Sequence, residues 1–161
     1  MTLCKFTVPG APVPKGRARV VRSKSTGQVR GITPARTVNF EATVRIVAAS
    51  ARPSGWPMQC EYKVWIHAVR ATRNGGDNSN IAKAIEDACN TVLWVDDRQV
   101  CEVHVTRDLD PSNPRTEVRI EAVPVRCVRC HNYTLLLNED RCPDCHSALE
   151  AKRAQKPRKS A

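Results

Sequence analysis

Gly76-Asp77-Asn78-Ser79-Asn80-Ile81-Ala82-Lys83-Ala84-Ile85-Glu86-Asp87-Ala88 carries two interleaved patterns. Ile81, Ile85, Ala88 and Val92 recur at helical spacing and predict a helix from about Ser79 to Leu93 with one apolar face. Ser79, Lys83 and Asp87, at i, i+4 and i+8, form a stripe away from that face, with Glu86 and Asn90 beside it. A charged stripe that the core does not need is free for chemistry.

Outward from this helix the pattern changes to strands. Residues 60–69 read as one, with Val64, Ile66 and Ala68 on a shared face, and a polar, Gly-rich loop at 70–78 separates it from the helix. Residues 99–107 and 116–123 read as two more, divided by the turn Pro111-Ser112-Asn113-Pro114. At the start, 2–8 is a short alternating strand, and 18–32 is an irregular basic hairpin turning at Thr26-Gly27. Thr33-Pro34 opens a helix to about Ala51, with Phe40, Val44, Val47, Ala48 and Ala51 as its buried stripe, and Pro53-Ser54-Gly55 ends it. The expectation is an α/β (α+β) domain over 1–124, with a mixed sheet of about four strands and two main helices. A small cysteine module follows over 125–150, then a basic tail over 151–161, rich in Lys, Arg, Pro and Gln and expected to be disordered.

The 161 residues include 26 Lys plus Arg and 16 Asp plus Glu, a net charge of +10. Residues 1–36 hold eight basic side chains and no acid, a distribution that favours a nucleic-acid backbone over plain solubilising charge. No apolar run reaches the roughly 18 residues of a membrane helix, and no charged segment leads into an apolar one at the start. The expectation is a cytoplasmic protein with no membrane partner.

Acids are scarce in this chain, yet Asp77, Glu86, Asp87, Asp96 and Asp97 gather around one helix and one strand start. Carboxylates brought together repel unless a cation lies between them, and Mg²⁺ takes one or two carboxylates together with waters and substrate phosphate. Lys83 is then placed to steady transition-state charge. Plainer readings stand beside this one. Asp77 or Ser79 caps the helix, Lys83 and Asp87 make a surface pair, and Asp96-Asp97 belongs to a turn.

Cys127-Val128-Arg129-Cys130 and Cys142-Pro143-Asp144-Cys145 have the spacing of a Cys₄ site for structural Zn²⁺, with Tyr133, Leu135 and Leu137 suggesting a small hairpin between them. A module this short depends on metal for its folding energy. His131 and His146 are spare ligands or plain surface residues. Cys4, Cys60, Cys89 and Cys101 are expected to be buried thiols.

The order of motifs resembles the RusA family of Holliday junction resolvases. Gly10-Ala11-Pro12-Val13-Pro14-Lys15-Gly16-Arg17-Ala18-Arg19 is similar to its G-x-P-x-P-K-x-R-x-R segment. Thr33-Pro34 through Thr37, Phe40 and Glu41 is similar to T-P-x-x-T-x-x-[FY]-E. Asp77 to Lys83 resembles D-x-D-N-x-x-K, Ile85 to Asn90 the I-x-D-A-L-N continuation, and Asp96-Asp97-Arg98-Gln99-Val100 the D-D-x-Q-V signature. The resemblance covers residues 3–123 and leaves out the cysteine module. It implies a dimeric, Mg²⁺-dependent (or Mn²⁺-dependent) enzyme that nicks opposed strands of a four-way DNA junction, in a bacterial cytoplasm and with phage or prophage origin fitting the family's distribution. It further implies Asp77 and Asp97 as metal ligands, with Asp96 beside them, and Lys83 as the catalytic lysine. Lys15, Arg17 and Arg19 are implied as phosphate contacts, and Arg70 and Arg73, in the polar loop just before Asp77, are further candidate DNA-binding residues. Ser79 stands where the family's commoner form has a second Asp. Asp96, Glu86 or Asp87 supplies the missing charge, or Ser79 acts through a water. The alternative is a catalytically weakened protein that binds DNA through its nuclease core and zinc ribbon. The apolar side of 99–107 and the helix at 37–51 are the two candidate dimer faces.

Overall fold

Alternation along the strands builds the sheet. In β1 (Leu3–Pro9), Cys4, Phe6 and Val8 are buried while Leu3, Lys5 and Thr7 are exposed. The computed structural model describes residues 3–22, 25–74, 76–135 and 141–154. Its element order is β1, β2 (Arg19–Arg22), β3 (Val29–Ile32), α1 (Ala35–Ala51), β4 (Glu61–Arg70), α2 (Asn78–Cys89), β5 (Val100–Leu109), β6 (Arg115–Val123), β7 (Val125–Arg126), β8 (Tyr133–Thr134) and α3 (Pro143–Ala154). Four strands form one mixed sheet in the order β1-β6-β4-β5. β1–β6 and β6–β4 are antiparallel, whereas β4–β5 is parallel because α2 carries the chain back between them. The domain is thus α+β, as its periodicities predict. β2 and β3 pair as a separate ribbon around the expected turn.

Both long helices contribute to one core. Phe40, Val44 and Ala48 of α1 and Ile81, Ala84, Ile85 and Ala88 of α2 join Tyr62, Val64, Ile66, Val118 and Ile120 of the sheet. Full burial of an aliphatic side chain of this kind contributes roughly 1.5–3 kcal/mol. Val47 and Ala51, expected in the same stripe, are half-buried at its margin. The side chains that alternate with the core set, among them Lys5, Arg119, Trp65 and His104, lie on the other face of the sheet. There Arg119 covers the Trp65 ring 4.6 Å from its centroid, and His104 stacks on it at 5.8 Å.

Several expectations need correction. α2 stops at Cys89, not Leu93: Asn90 leaves helical geometry, Thr91 takes φ +66°, and the Thr91 N–H donates to the Trp94 carbonyl at 2.7 Å. Val92, Leu93 and Trp94 are buried in that turn, so the apolar spacing outlasts the helix. Cys4, Cys60 and Cys89 are buried, but Cys101 is exposed on edge strand β5. In the module, Tyr133-Thr134 pairs back onto Val125-Arg126, while the hairpin expected between the cysteine pairs, with Leu137, falls partly on residues outside the described set. The second pair opens α3, which runs through Ala151–Ala154 into the segment expected to be disordered; residues 155–161 are outside the described set. Pro143 in the first helical position and Asp144 in the first turn are the signals for that helix.

Candidate active site and metal centre

The motif segments, far apart in sequence, meet at the exposed side of α2. Residues 10–16 thread between the starts of the two helices. The Lys15 N–H donates to the Asn80 carbonyl at 2.8 Å, and the Gly16 N–H donates to Thr37 Oγ1 at 3.2 Å. A Cβ on Gly76 would come within 2.6 Å of Pro14 Cγ, so the loop before α2 and the proline segment touch at a point that only glycine permits.

Four ion pairs then run in series. Lys15 Nζ lies 2.6 Å from Glu41 Oε1 and 2.7 Å from Asp87 Oδ2. Asp87 Oδ1 is 3.0 Å from Lys83 Nζ, which in turn lies 2.8 Å from Asp97 Oδ2. Hydrogen bonds donated to Asp97 and then Asp87 hold the Lys83 ammonium well above the ordinary lysine pKa. Burial works against the charge on Lys15, but hydrogen bonds to Asp87 and Glu41 outweigh it and raise its pKa. Burial likewise opposes the Asp87 carboxylate, and its two lysine partners still bring its pKa below 3.8. Glu86, half-buried beside them, is raised by its burial.

Asp77 caps α2. Its Oδ1 accepts the Asn80 N–H at 2.8 Å and its Oδ2 accepts the Asn80 side-chain amide at 3.0 Å. Asp77 and Ser79 are both exposed, and Lys83 follows Asp77 by six residues, about 9 Å of helix rise. Asp96 faces elsewhere: it caps the short 3₁₀ turn Asp97–Gln99 and is gripped by Arg98 at 2.8 and 3.1 Å, hydrogen bonds that hold its pKa at about 2. Among the described residues, Asp77, Asp96 and Asp97 do not form a group of three donors within 4.8 Å; the four cysteines do. In donor type, Asp77 and Asp97 fit a hard divalent cation, which needs only one or two carboxylates.

Gln99, part of the motif in sequence, has a structural task that only the fold reveals. Its amide donates to the Met58 and Cys60 carbonyls, both at 2.8 Å, while its Oε1 accepts the Val95 N–H at 2.7 Å and the Asp96 N–H at 3.3 Å. This bracket holds the loop that carries Asp97 against the end of β4's approach.

Basic residues extend the site. Arg70 and Arg73 line a hollow of about 360 Å³ with Thr72, Arg107, Asp108 and Leu109. A second hollow, of about 390 Å³, joins Arg70 to Arg36 and to Gly76, the residue before Asp77. Among the described residues, none of Arg36, Arg70, Arg73 and Arg107 makes an ion pair. Arg107 and Arg36 were not legible as partners of Arg70, because strand pairing and helix placement bring them there. Arg17 is exposed and Arg19 opens β2, whereas Lys15 faces Glu41 and Asp87.

The cysteine centre is closed. Cys127, Cys130, Cys142 and Cys145 present sulfurs that all lie within 4.8 Å of one another, and Cys130 Sγ is 3.6 Å from Cys142 Sγ. A tetrahedral Zn²⁺ with bonds of about 2.3 Å sets its sulfurs about 3.8 Å apart, so the donors fit. Backbone N–H groups, led by those of Cys130 and then Cys142, lower the Cys127 thiol to about 5, whereas hydrogen bonding with Cys142 and burial push the Cys145 thiol up to about 12 and Cys130 is also raised. His131 and His146 are not members of the group. Val125 and Leu135 pack this module against the main core.

Residues 9–121 match the model of the family described as Endodeoxyribonuclease RusA. The chain is also similar to the uncharacterized protein YqaN of Bacillus subtilis (strain 168), 30% identical over 143 residues that cover 76% of this chain and 99% of that protein. The family match spans every element from β2 to α2, the Lys83–Asp97 pair and nearly all of β6, and ends before the cysteine module. With that span and this fold, the chain belongs to the RusA family of endodeoxyribonucleases, enzymes that resolve Holliday junctions.

Proposed function

We propose that the protein is a Mg²⁺-dependent endodeoxyribonuclease, with Mn²⁺ as a substitute, that resolves four-way DNA junctions by paired nicks as a homodimer. The observation that carries this reading is the Lys83–Asp97 contact at 2.8 Å on the solvent side of α2, the helix that Asp77 caps, with hollows lined by unpaired arginines reaching Gly76 just before that cap. Asp77 and Asp97 are the residues to hold the metal. A divalent ion bound there supplies charge neutralisation and an activated water for in-line attack on the phosphodiester. Lys83 donates to the scissile phosphate as negative charge grows on it. Ser79, neutral and exposed in the first turn, contributes a hydroxyl where a carboxylate is commoner. Arg70, Arg73, Arg107 and Arg36, with Arg17 and Arg19, bind the DNA backbone. Two symmetric cuts call for two sites related by a two-fold axis. Of the two candidate dimer faces, α1 is favoured by exposed Val38 and Ile46, whereas Val103 and Val105 of β5 pack on the core. The four cysteines hold a structural Zn²⁺.

The test compares labelled four-way junction, flap and linear duplex with and without Mg²⁺. Expected is Mg²⁺-dependent paired nicking of the junction. Asp77→Asn and Asp97→Asn should each lower it by about 100-fold or more, the scale of losing one preorganised charge at a reacting centre, while junction binding persists. Binding without any cleavage by the wild type would select the alternative, a DNA-binding protein whose nuclease core has lost activity through Ser79.

A further inference from the structure

We propose that Lys15, with Glu41, is a positioning residue for catalysis: it locks Asp87 so that Asp87 aims the Lys83 ammonium when Asp97 turns to a metal. The inference rests on the nuclease reading above and assigns Lys15 a different task from gripping DNA. Lys83 has two anionic partners, Asp97 at 2.8 Å and Asp87 at 3.0 Å. If Asp97 is drawn to a cation, Asp87 is the anion that remains to orient the lysine. Asp87 alone, one helical turn away on the solvent side of α2, would hold a flexible four-carbon side chain weakly, since i,i+4 pairs near the surface contribute little. Here the carboxylate is itself fixed. Its second oxygen is 2.7 Å from Lys15 Nζ, and Lys15 is tethered at both ends, by its N–H on Asn80 and its ammonium on Glu41 at 2.6 Å. Glu41 projects from α1, whose Thr37 also accepts the Gly16 N–H. Two helices and the 10–16 segment therefore converge on the single carboxylate behind Lys83. Lys15 keeps both of its carboxylates when a metal binds, whereas Lys83 loses one if Asp97 turns to the cation, so Lys83 and not Lys15 is the ammonium freed toward a phosphate.

The two roles for Lys15 predict opposite kinetics. Single-turnover nicking of a four-way junction is measured in Mg²⁺ at saturating enzyme, and junction affinity is measured in Ca²⁺ over a range of salt. Positioning predicts that Lys15→Met and Asp87→Asn each slow the saturated rate by about 10- to 100-fold, the scale of a misplaced reacting group. It also predicts an unchanged dissociation constant and salt dependence, with Lys15→Arg restoring most of the rate. Glu41→Gln keeps the shape while removing one anion, should give a smaller loss in the same parameter, and serves if Lys15→Met fails to fold. A Lys15→Met or Glu41→Gln enzyme that cuts at the wild-type saturated rate overturns the inference. So does a weakened affinity whose log–log salt slope falls by about 0.9, the mark of one lost phosphate contact. Absence of cleavage by the wild type defeats the nuclease reading and this inference together.

Discussion

Asp87 sits between two ammonium groups, and that placement has a thermodynamic signature. Its partners lower its pKa from 3.8, so its folded value lies below its unfolded one. The stabilisation is therefore complete above about 3.8 and is lost as pH falls through the depressed folded value. Facing it are Lys15 and Lys83, both charged throughout that range, and Glu86, whose raised pKa acts in the opposite sense. Thermal unfolding of wild type and Asp87→Asn, followed from about pH 6 to about pH 2.5, should show two midpoints that converge at the acid end. A gap independent of pH would exclude a charged role. The side is 25% exposed, so the whole effect is modest. The Lys83–Asp87 pair was legible in the sequence because helical spacing alone dictates it. The Lys15 pairing was not, since its partners come from two helices and no local pattern joins them. By local pattern alone Asp96 and Asp97 read alike, and it was the family resemblance that singled out Asp97. The capping geometry of the 3₁₀ turn supplies the physical reason, sending Asp96 to Arg98 and Asp97 to Lys83.

At the scale of elements, the loop before α2 controls where the helix begins. Gly76 has φ +72° and lies against Pro14. Gly76→Ala therefore meets both backbone strain and a clash, and should cost about 1–3 kcal/mol, read by urea unfolding, with a slower nicking rate because Asp77 is the next residue. A neutral substitution would mean that the 10–16 segment does not bear on the cap. β4, α2 and β5 were legible from periodicity, since a change from alternation to helical spacing and back marks a strand–helix–strand unit. The end of α2 was not, because Leu93 and Trp94 continue the apolar pattern in a turn closed by Thr91. α3 was hidden by its composition: a Lys/Arg-rich end reads as a tail although Pro143 and Asp144 open a helix.

For the whole molecule, the fold divides into a core stabilised by burial and a cysteine module too small to do the same. Stripping Zn²⁺ with a strong chelator should release one equivalent per chain and unfold residues 125–154, while circular dichroism retains the strand signal of the sheet. Loss of the whole cooperative transition would show instead that module and core fold as one unit. Reduced junction affinity after metal removal, with the sheet intact, would place the module on a DNA arm. The sequence displayed the two cysteine pairs but not their relation to the domain, because that depends on Val125 and Leu135 packing against the core.

One connection governs what the module can reach. β6 ends at Val123 and β7 starts at Val125, leaving Pro124 alone between them. A single ring-locked residue gives no tether to swing on, so the cysteine module is carried like a bracket welded to the last strand. In a two-fold pair, the spacing between the two brackets would be set by the sheets. Lengthening that joint with glycine and serine would turn a fixed ruler into a loose leash.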